Sequence, residues 1–273
     1  MSQAGFSVIG AQGFIGRHVA ARLEAEGHAV RRIDRIDGAV LGAPLGQVVF
    51  AAGVTADFRT RPFDTVEAHV AALGRVLGEA SYDGLLYLSS TRVYDGAPAA
   101  REEVSLCLDP QNPSHLYNAT KLAGEALCLA LLRPGVRVVR LSNVYGAGDR
   151  SENFLTALLA EARARGHVVL RSAPESAKDF VSVQDVAGLI PRICLAGRHR
   201  LYNLAAGRNL SYDAVAKALA RASGCGYEFE PGAPEVRFPP IDIGRVRGEF
   251  DFAPASLEDE MDALWRAYCE EQA

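Results

Sequence analysis

A tyrosine and a lysine lie four residues apart in the segment YNATK, as Tyr117 and Lys121. On a helix this spacing places both side chains on one face. A free tyrosine, whose pKa is about 10, is a poor base at neutral pH, but a cation held nearby favours the phenolate and lowers that pKa. The pair is therefore suited to proton transfer coupled to hydride transfer. Alone it is also a common chance pattern on surface helices.

A glycine-rich segment, GAQGFIG at positions 10–16, follows a short apolar run and opens a helical pattern. Glycine is needed where such a turn is tight and where a pyrophosphate approaches backbone amides at the positive end of a helix. A strand, this motif and a helix in succession are typical of dinucleotide binding. We assign to the cofactor site Gly10, Gln12, Gly13, Phe14, Ile15 and Gly16.

An acidic residue, Asp34, closes the next predicted strand, 18 residues after Gly16. A carboxylate there can accept hydrogen bonds from both hydroxyls of a ribose, and it repels the 2′-phosphate of NADP. The neighbouring Arg35 softens this preference because an arginine can receive that phosphate. The sequence therefore predicts NAD as cofactor, with NADP possible.

The composition is that of an ordinary globular protein of 273 residues, with 49% hydrophobic and 23% charged residues. A net charge of −4 gives no basic excess for binding nucleic acid. No apolar stretch approaches the roughly 18 residues of a membrane span, and the first residues do not resemble a signal peptide. The five cysteines are scattered without a CxxC pair, which argues against a disulfide framework or a metal site. We expect a cytoplasmic protein with free thiols.

Short apolar runs alternate with helical patterns along the first half of the chain, which predicts βαβ units and an α/β fold. We expect a Rossmann-like, doubly wound parallel sheet with a smaller C-terminal substrate-binding lobe. The dinucleotide-binding domain is assigned to residues 1–148 plus about 179–204, and the lobe to about 149–178 and 205–273.

Seven segments, in order along nearly the whole chain, resemble the extended short-chain dehydrogenase/reductase superfamily. The resemblance is to its NAD-dependent epimerase/dehydratase family, whose members act on nucleotide sugars. The segments are GAQGFIG, VVFAAG, YLSSTRVYDG, SHLYNATKLAGE, VRLSNVYG, KDFVSVQDVA and LYNLAAG.

The resemblance implies roles for individual residues. Tyr117 would be the proton donor or acceptor, and Lys121 would bind the nicotinamide ribose and tune Tyr117. Ser90, four residues before Tyr94, would hydrogen-bond the reacting oxygen. The backbone of Ala51, Ala52 and Gly53 would pass beneath the cofactor.

The same resemblance suggests where a substrate would bind. Asn143 matches an asparagine that usually meets the substrate diphosphate, and Lys178 stands where the family usually has arginine. Arg237 is a further phosphate candidate, with a structural or surface use as the alternative. Thr91 and Arg92 follow Ser90 directly and are assigned to the substrate side.

The chain departs from the family pattern in three places. Residues 35–46 leave no room for the usual helix and strand beside the adenine. His69 replaces a frequent asparagine and is either a relay or a packing residue. Dehydratases of the family carry an acidic pair where this chain has Thr91 and Arg92, which argues against dehydration.

These observations favour an NAD-dependent enzyme acting on a secondary alcohol or ketone, at carbon 4 of a nucleotide sugar. An epimerase is the leading interpretation, because Asp34 favours NAD. An NAD(P)H-dependent ketoreductase of a deoxysugar or a natural-product carbonyl is the alternative, and a non-catalytic dinucleotide-binding scaffold is disfavoured by the intact Ser90, Tyr117 and Lys121.

A homodimer is expected through the helices near 64–80 and 117–132. The segment KLAGEALCLALL carries more apolar surface than one core face needs. Covering the flat side of its own sheet would account for part of that surface.

Overall fold

The central sheet is parallel and is flanked by helices, as the sequence predicted. The computed structural model describes residues 4–54 and 57–272. The strands are β1 (Gly5–Ile9), β2 (Ala29–Ile33), β3 (Gln47–Phe50), β4 (Gly84–Ser90), β5 (Val136–Leu141), β6 (Asn143–Tyr145), β7 (His167–Leu170), β8 (Ala177–Ser182), β9 (Leu201–Leu204), β10 (Asn209–Ser211) and β11 (Gly226–Phe229).

The helices alternate with these strands over most of the chain. They are α1 (Phe14–Ala25), α2 (Gly38–Leu41), α3 (Pro62–Val66), α4 (Ala72–Glu79), α5 (His115–Ala130), α6 (Phe154–Arg165), α7 (Val183–Ala196), α8 (Tyr212–Ser223), α9 (Gly244–Phe250) and α10 (Leu257–Glu271). A π-helical turn, Glu67–Ala71, joins α3 to α4, and a 3₁₀ turn, Thr91–Tyr94, follows β4.

Six strands form the central sheet in the order β2-β1-β3-β4-β5-β9, with every neighbouring pair parallel. Alternate strand residues enter two different apolar clusters, one under α1 and α7 and the other under α4 and α5. Burial on both faces explains why the strands are almost continuously apolar. The predicted Rossmann-like fold is confirmed.

The chain changes direction across the sheet at β1, because β2 lies on one side of β1 and β3 on the other. In a doubly wound sheet the crevice beyond the carboxyl ends of such strands is where ligands bind. The glycine-rich segment follows β1, and residues 51–53 follow β3, so both predicted cofactor segments reach this crevice.

The connection between β2 and β3 is short, as expected. Residues 35–46 hold only the one-turn helix α2, whose first turn is capped by the Asp37 carboxylate accepting from Val40 N at 2.9 Å. The chain then enters β3 beside β1, with no additional strand outside β2. β2 is therefore an edge strand, and the exposed Arg31 and Arg32 discourage pairing with another chain there.

A third apolar cluster lies in the C-terminal part of the chain, formed by α6, α8 and α10 with β7 and β11. A three-stranded sheet, β10-β8-β6, lies beside it. The chain leaves the central sheet after β5, because the next strand, β6, pairs with β8. The division into two domains at the predicted boundaries stays a prediction.

Among the described residues, no helix is both long and apolar enough to span a bilayer. No group of three or more His, Cys, Asp or Glu side chains in this part of the chain is arranged to hold a metal ion.

The π-helical turn brings its backbone against α5. A side chain on Gly124 would put its Cβ 2.6 Å from the Tyr87 hydroxyl and 2.9 Å from the His69 carbonyl oxygen. Both distances are shorter than a carbon atom tolerates, so only glycine fits at this crossing.

We expect Gly124→Ala to lower the free energy of unfolding by about 1–3 kcal/mol, because the added methyl group overpacks a closed site. The matched control is Gly78→Ala on α4, where a Cβ meets nothing within 4 Å. That variant should be more stable by about 0.5–1 kcal/mol, because alanine favours helix. Chemical denaturation measures both, and equal effects at the two positions would contradict the assignment.

Candidate active site

Tyr117 and Lys121 lie on α5 and are both buried, with 7% and 5% of their surfaces exposed. The Lys121 ammonium donates to the Leu88 carbonyl of β4 at 2.9 Å and lies 5.8 Å from the centre of the Tyr117 ring. Burial lowers the pKa of Lys121 to about 7, and the carboxylate of Glu125, one turn further along α5, opposes this shift. The structure thus brings the predicted pair together.

Ser90 reaches the same place because β4 ends there and enters the 3₁₀ turn. Its hydroxyl caps that turn by accepting from Arg92 N at 3.2 Å. Burial raises the pKa of Tyr117, and a hydrogen bond with Ser90 and the positive charge of Arg92 oppose the rise. Tyr117 is therefore a protonated phenol at neutral pH.

The expectation that Lys121 lowers the pKa of Tyr117 stays a prediction; its ammonium lies 5.8 Å from the centre of that ring. A second cation, Arg92, opposes the effect of burial on the pKa of Tyr117, and its guanidinium carbon lies 5.6 Å from the same ring centre. Lys121 directs its ammonium to a backbone carbonyl, and its own charge is disfavoured by burial.

A buried polar network supports this arrangement. Arg140 of β5 donates to the Glu125 carboxylate at 2.6 Å and to the Tyr94 hydroxyl at 2.8 Å. Ser89 donates to Glu125 at 2.5 Å, and Tyr94 donates to the Asn203 side chain of β9 at 2.8 Å. Tyr94 is therefore structural. The sequence analysis did not identify Glu125 and Arg140, although an arginine inside an apolar strand is a signal for a buried partner.

His69 is fully buried and connects the cofactor side to α5. Its Nε2 accepts from Val54 N at 3.2 Å, which places the proton on Nδ1, and Nδ1 donates to the Thr120 hydroxyl at 2.9 Å. Thr120 in turn donates to the Tyr117 carbonyl at 2.9 Å. Burial and the charge of Lys121 lower the pKa of His69 to about 3. The ring packs edge-on against Tyr117, so it acts as a neutral spacer.

The glycine-rich turn is built for close approach. Gly10 has φ +84°, and a Cβ there would lie 2.7 Å from Ala52 N; a Cβ on Gly16 would collide with the Gly10 carbonyl. Gly13 starts α1 without a side-chain cap, so the first amide groups of the helix are free to receive an anion.

Asp34 ends beside this turn, where Gln12 donates to its carboxylate from the backbone at 3.2 Å and from the side chain at 2.6 Å. Asp34 and Arg35 are exposed. The pyrophosphate of a dinucleotide fits the glycine-rich turn, which has no room for a Cβ, and the uncapped start of α1. The ribose fits the carboxylate of Asp34 at the end of β2.

A cavity of about 830 Å³ runs from this turn to the C-terminal cluster. The predicted site residues that line it are Gln12, Gly13, Phe14, Ile15, Ala51, Gly53, Ser90, Thr91, Arg92, Tyr117, Lys121, Asn143 and Lys178. Gly10, Gly16 and Ala52 lie behind its wall. Arg237 does not line the cavity; its guanidinium is 81% exposed and pairs with Glu235, which favours the surface alternative.

Lys178 is a cation facing this cavity. Its ammonium lies 5.6 to 6.0 Å from the ring centres of Phe154, Tyr212 and Phe238. Burial lowers its pKa, and the charge of Arg92 adds to that effect. Cation–π contacts leave its N–H donors free for an anionic ligand.

Asn143, the first residue of β6, donates from its side-chain amide to the Asp179 carbonyl of the neighbouring strand β8 at 2.7 Å. Phe58, which the sequence analysis missed, packs 5.4 Å from the Tyr117 ring at the opposite wall. Its only sequence signal is an aromatic residue within the polar segment DFRTRP.

The comparisons with known proteins agree with the predicted resemblance. The model of the NAD dependent epimerase/dehydratase family matches residues 6–205. A dTDP-6-deoxy-L-talose 4-dehydrogenase (NAD(P)(+)) from Kitasatospora kifunensis is 28% identical over 306 aligned positions, covering 96% of this chain and 94% of the relative. A dTDP-4-dehydro-6-deoxy-D-allose reductase from a Streptomyces species is 24% identical, covering 96% of this chain and 95% of the relative.

Solved structures show the same fold. TunA, an NAD dependent NDP-hexosamine 5,6-dehydratase involved in tunicamycin biosynthesis, matches with a TM-score of 0.82 over 98% of both chains. Its sequence identity to this chain is 21%, so the likeness concerns the fold and leaves the reaction open.

We expect His69 to make the protein less stable as the pH falls. Below pH 6.5 the unfolded chain protonates this histidine, whereas the folded chain keeps it neutral down to about pH 3. The unfolded state therefore binds more protons in this window. Near pH 5.5 the contribution to the slope of unfolding free energy is about 1.2 kcal/mol per pH unit.

Denaturation of wild type and His69→Asn between pH 7 and 5 measures this slope, which should be shallower in the variant. His167→Asn, at a histidine with 45% of its side chain exposed, is the control and should keep the wild-type slope. Parallel curves for wild type and His69→Asn would refute the buried neutral state.

Proposed function

This chain belongs to the NAD dependent epimerase/dehydratase family, and from that premise we propose that it is an NAD(P)-dependent oxidoreductase acting at carbon 4 of a nucleotide-linked sugar. The observation that carries the proposal is the convergence of Ser90, Tyr117 and Lys121 on a cavity that also reaches the glycine-rich turn. The substrate class is supported by the two full-length relatives, which are named for dTDP-linked sugars.

The position of each residue indicates which part of the cofactor or substrate it would bind. Gly10, Gly13 and Gly16 would leave room for the pyrophosphate of the dinucleotide. Asp34 would accept hydrogen bonds from its ribose after the Gln12 side chain releases the Asp34 carboxylate. When bound, the nicotinamide supplies or removes the hydride.

The step that the protein's own side chains would perform is a proton transfer at the reacting oxygen. The Tyr117 hydroxyl is protonated at neutral pH, so it can give its proton to the oxygen of a carbonyl that is being reduced. Ser90, already within reach of that phenol, would hydrogen-bond the same oxygen. Lys121 lines the same cavity and is assigned to the nicotinamide ribose. At the far end of the cavity, Lys178 and Asn143 are assigned to the diphosphate.

Of the two possible outcomes, we propose a single hydride transfer, as in a reductase or dehydrogenase. A protonated Tyr117 suits reduction, and the two full-length relatives are named as a dehydrogenase and a reductase. Epimerisation is the second candidate, favoured by Asp34, whose carboxylate suits a retained NAD. Dehydration stays disfavoured, because Thr91 and Arg92 supply no acid at this wall.

We expect purified protein to consume NADH or NADPH stoichiometrically with a dTDP-4-dehydro-6-deoxyhexose. Tyr117→Phe should lower kcat by roughly 10²–10⁴-fold, because it removes the proton donor and preserves the ring. Absorbance at 340 nm follows the reaction, and Tyr227→Phe, the same chemical change at a β11 tyrosine that does not line the cavity, is the control. Interconversion of a dTDP-sugar pair with no net cofactor consumption would instead establish the epimerase.

We also propose a homodimer formed through the helices that the sequence indicated. Large apolar side chains are exposed on this side, with Phe63 of α3 87% exposed, Val66 42%, Leu127 of α5 38% and Leu132 95%. Exposed apolar surface of this kind marks an interaction site.

Sedimentation should give a dimer for the wild type, and Phe63→Asp and Leu127→Asp should each shift it towards monomer. A buried aspartate without a partner opposes association. The control is Leu195→Asp on α7, at a leucine that is 43% exposed on another face. A monomeric wild type, or dissociation by the control alone, would reject this interface.

A further inference from the structure

The geometry points to Arg92 as an electrostatic positioning residue: its guanidinium, stacked on the Tyr117 ring, favours the phenolate that forms when Tyr117 gives up its proton. This inference rests on the proposed function for its catalytic meaning, but the charge contact itself is independent of any substrate. The effect would add to that of Lys121, whose ammonium lies 5.8 Å from the centre of the same ring.

The guanidinium of Arg92 lies against two neighbouring aromatic rings, whose centres are 5.4 Å apart. Its central carbon lies 5.6 Å from the centre of the Tyr117 ring and 5.1 Å from that of Phe58. A cation over a ring face is attracted by the π electrons, and the attraction grows when the ring becomes anionic. The contact therefore stabilises the deprotonated form of Tyr117 more than the protonated form.

The same stretch of backbone positions both Arg92 and Ser90. Both belong to the junction of β4 and the 3₁₀ turn, where the Ser90 hydroxyl accepts from Arg92 N. Within the described residues no carboxylate forms an ion pair with Arg92; the nearby Asp95 lies 3.6 Å from the His115 ring instead. Asp95 therefore acts on the Arg92 charge only through space and not through a direct ion pair.

The other groups around Tyr117 offer no equivalent permanent charge. From α5 comes Lys121, whose pKa is near 7, and from the π-helical turn comes the neutral ring of His69. From β4 comes Tyr87, an uncharged phenol whose pKa burial raises further. Arg59 packs on Phe58, at 4.8 Å, and donates to Ser114 at 2.7 Å.

Arg92 is suited to this task because guanidinium remains charged at every pH at which the protein is folded. Burial and the charge of Arg59 lower its pKa, but from so high a starting value that the charge persists at neutral pH. An ammonium with a pKa near 7 would be charged only part of the time. The arginine thus supplies a constant field where Lys121 supplies a variable one.

The test measures Tyr117 directly, in protein labelled with ¹³C at the tyrosine ζ-carbon, whose NMR shift reports phenol and phenolate. Tyr117→Phe identifies the resonance. In Arg92→Gln the titration midpoint of Tyr117 should move upward by at least about one pH unit, as expected for the loss of an adjacent opposite charge. Arg92→Lys should restore most of the wild-type midpoint.

Arg59→Gln is the matched control, because it removes a neighbouring cation that stacks on Phe58 and not on Tyr117. Its midpoint should stay close to that of the wild type. An unchanged midpoint in Arg92→Gln, or an equal shift in Arg59→Gln, would overturn the inference. Because the titration needs no substrate, its result is separate from whether nucleotide sugars are turned over. If they are, the alkaline limb of the pH–rate profile for reduction should shift upward with the midpoint.

Discussion

The ion pair between Glu125 and Arg140 holds the active site together. Both side chains are almost completely buried, at 3% and 5% exposure, and the two are joined by bonds at 2.6, 3.0 and 3.2 Å. A buried charge that loses its partner costs about 3–5 kcal/mol. The interior therefore accepts only the arrangement in which α5 and β5 present these two groups to each other.

The positions of the candidate catalytic residues depend on this pair. Lys121 lies one turn before Glu125 on α5, and Ser90 directly follows Ser89, which donates to the same carboxylate. Arg140 extends the contact to Tyr94, and so to the turn that carries Arg92. Chemistry at the cavity wall thus depends on Glu125 and Arg140, which do not line the cavity themselves.

The sequence predicted features that are encoded locally: the parallel sheet, the glycine-rich turn, the strand ending at Ser90 and the Tyr117–Lys121 pair. It did not predict β7, β10 and β11, because strands of three or four residues carry little periodic signal. The Glu125–Arg140 pair and the packing of Phe58 against Tyr117 join distant segments, and no spacing rule reports such contacts. Arg237 is the opposite case: its residue type suits a phosphate site, but the fold leaves its side chain on the surface.

The short connection between β2 and β3 has a kinetic consequence. Where a longer connection would add a helix and a strand, this chain places only α2, so β2 remains the sheet edge and Asp34 is exposed there. The adenosine end of a bound dinucleotide would meet fewer protein groups, and fewer contacts shorten residence time by raising the dissociation rate. An enzyme that must exchange its cofactor in every cycle gains from rapid release, whereas one that recycles a single molecule gains from slow release.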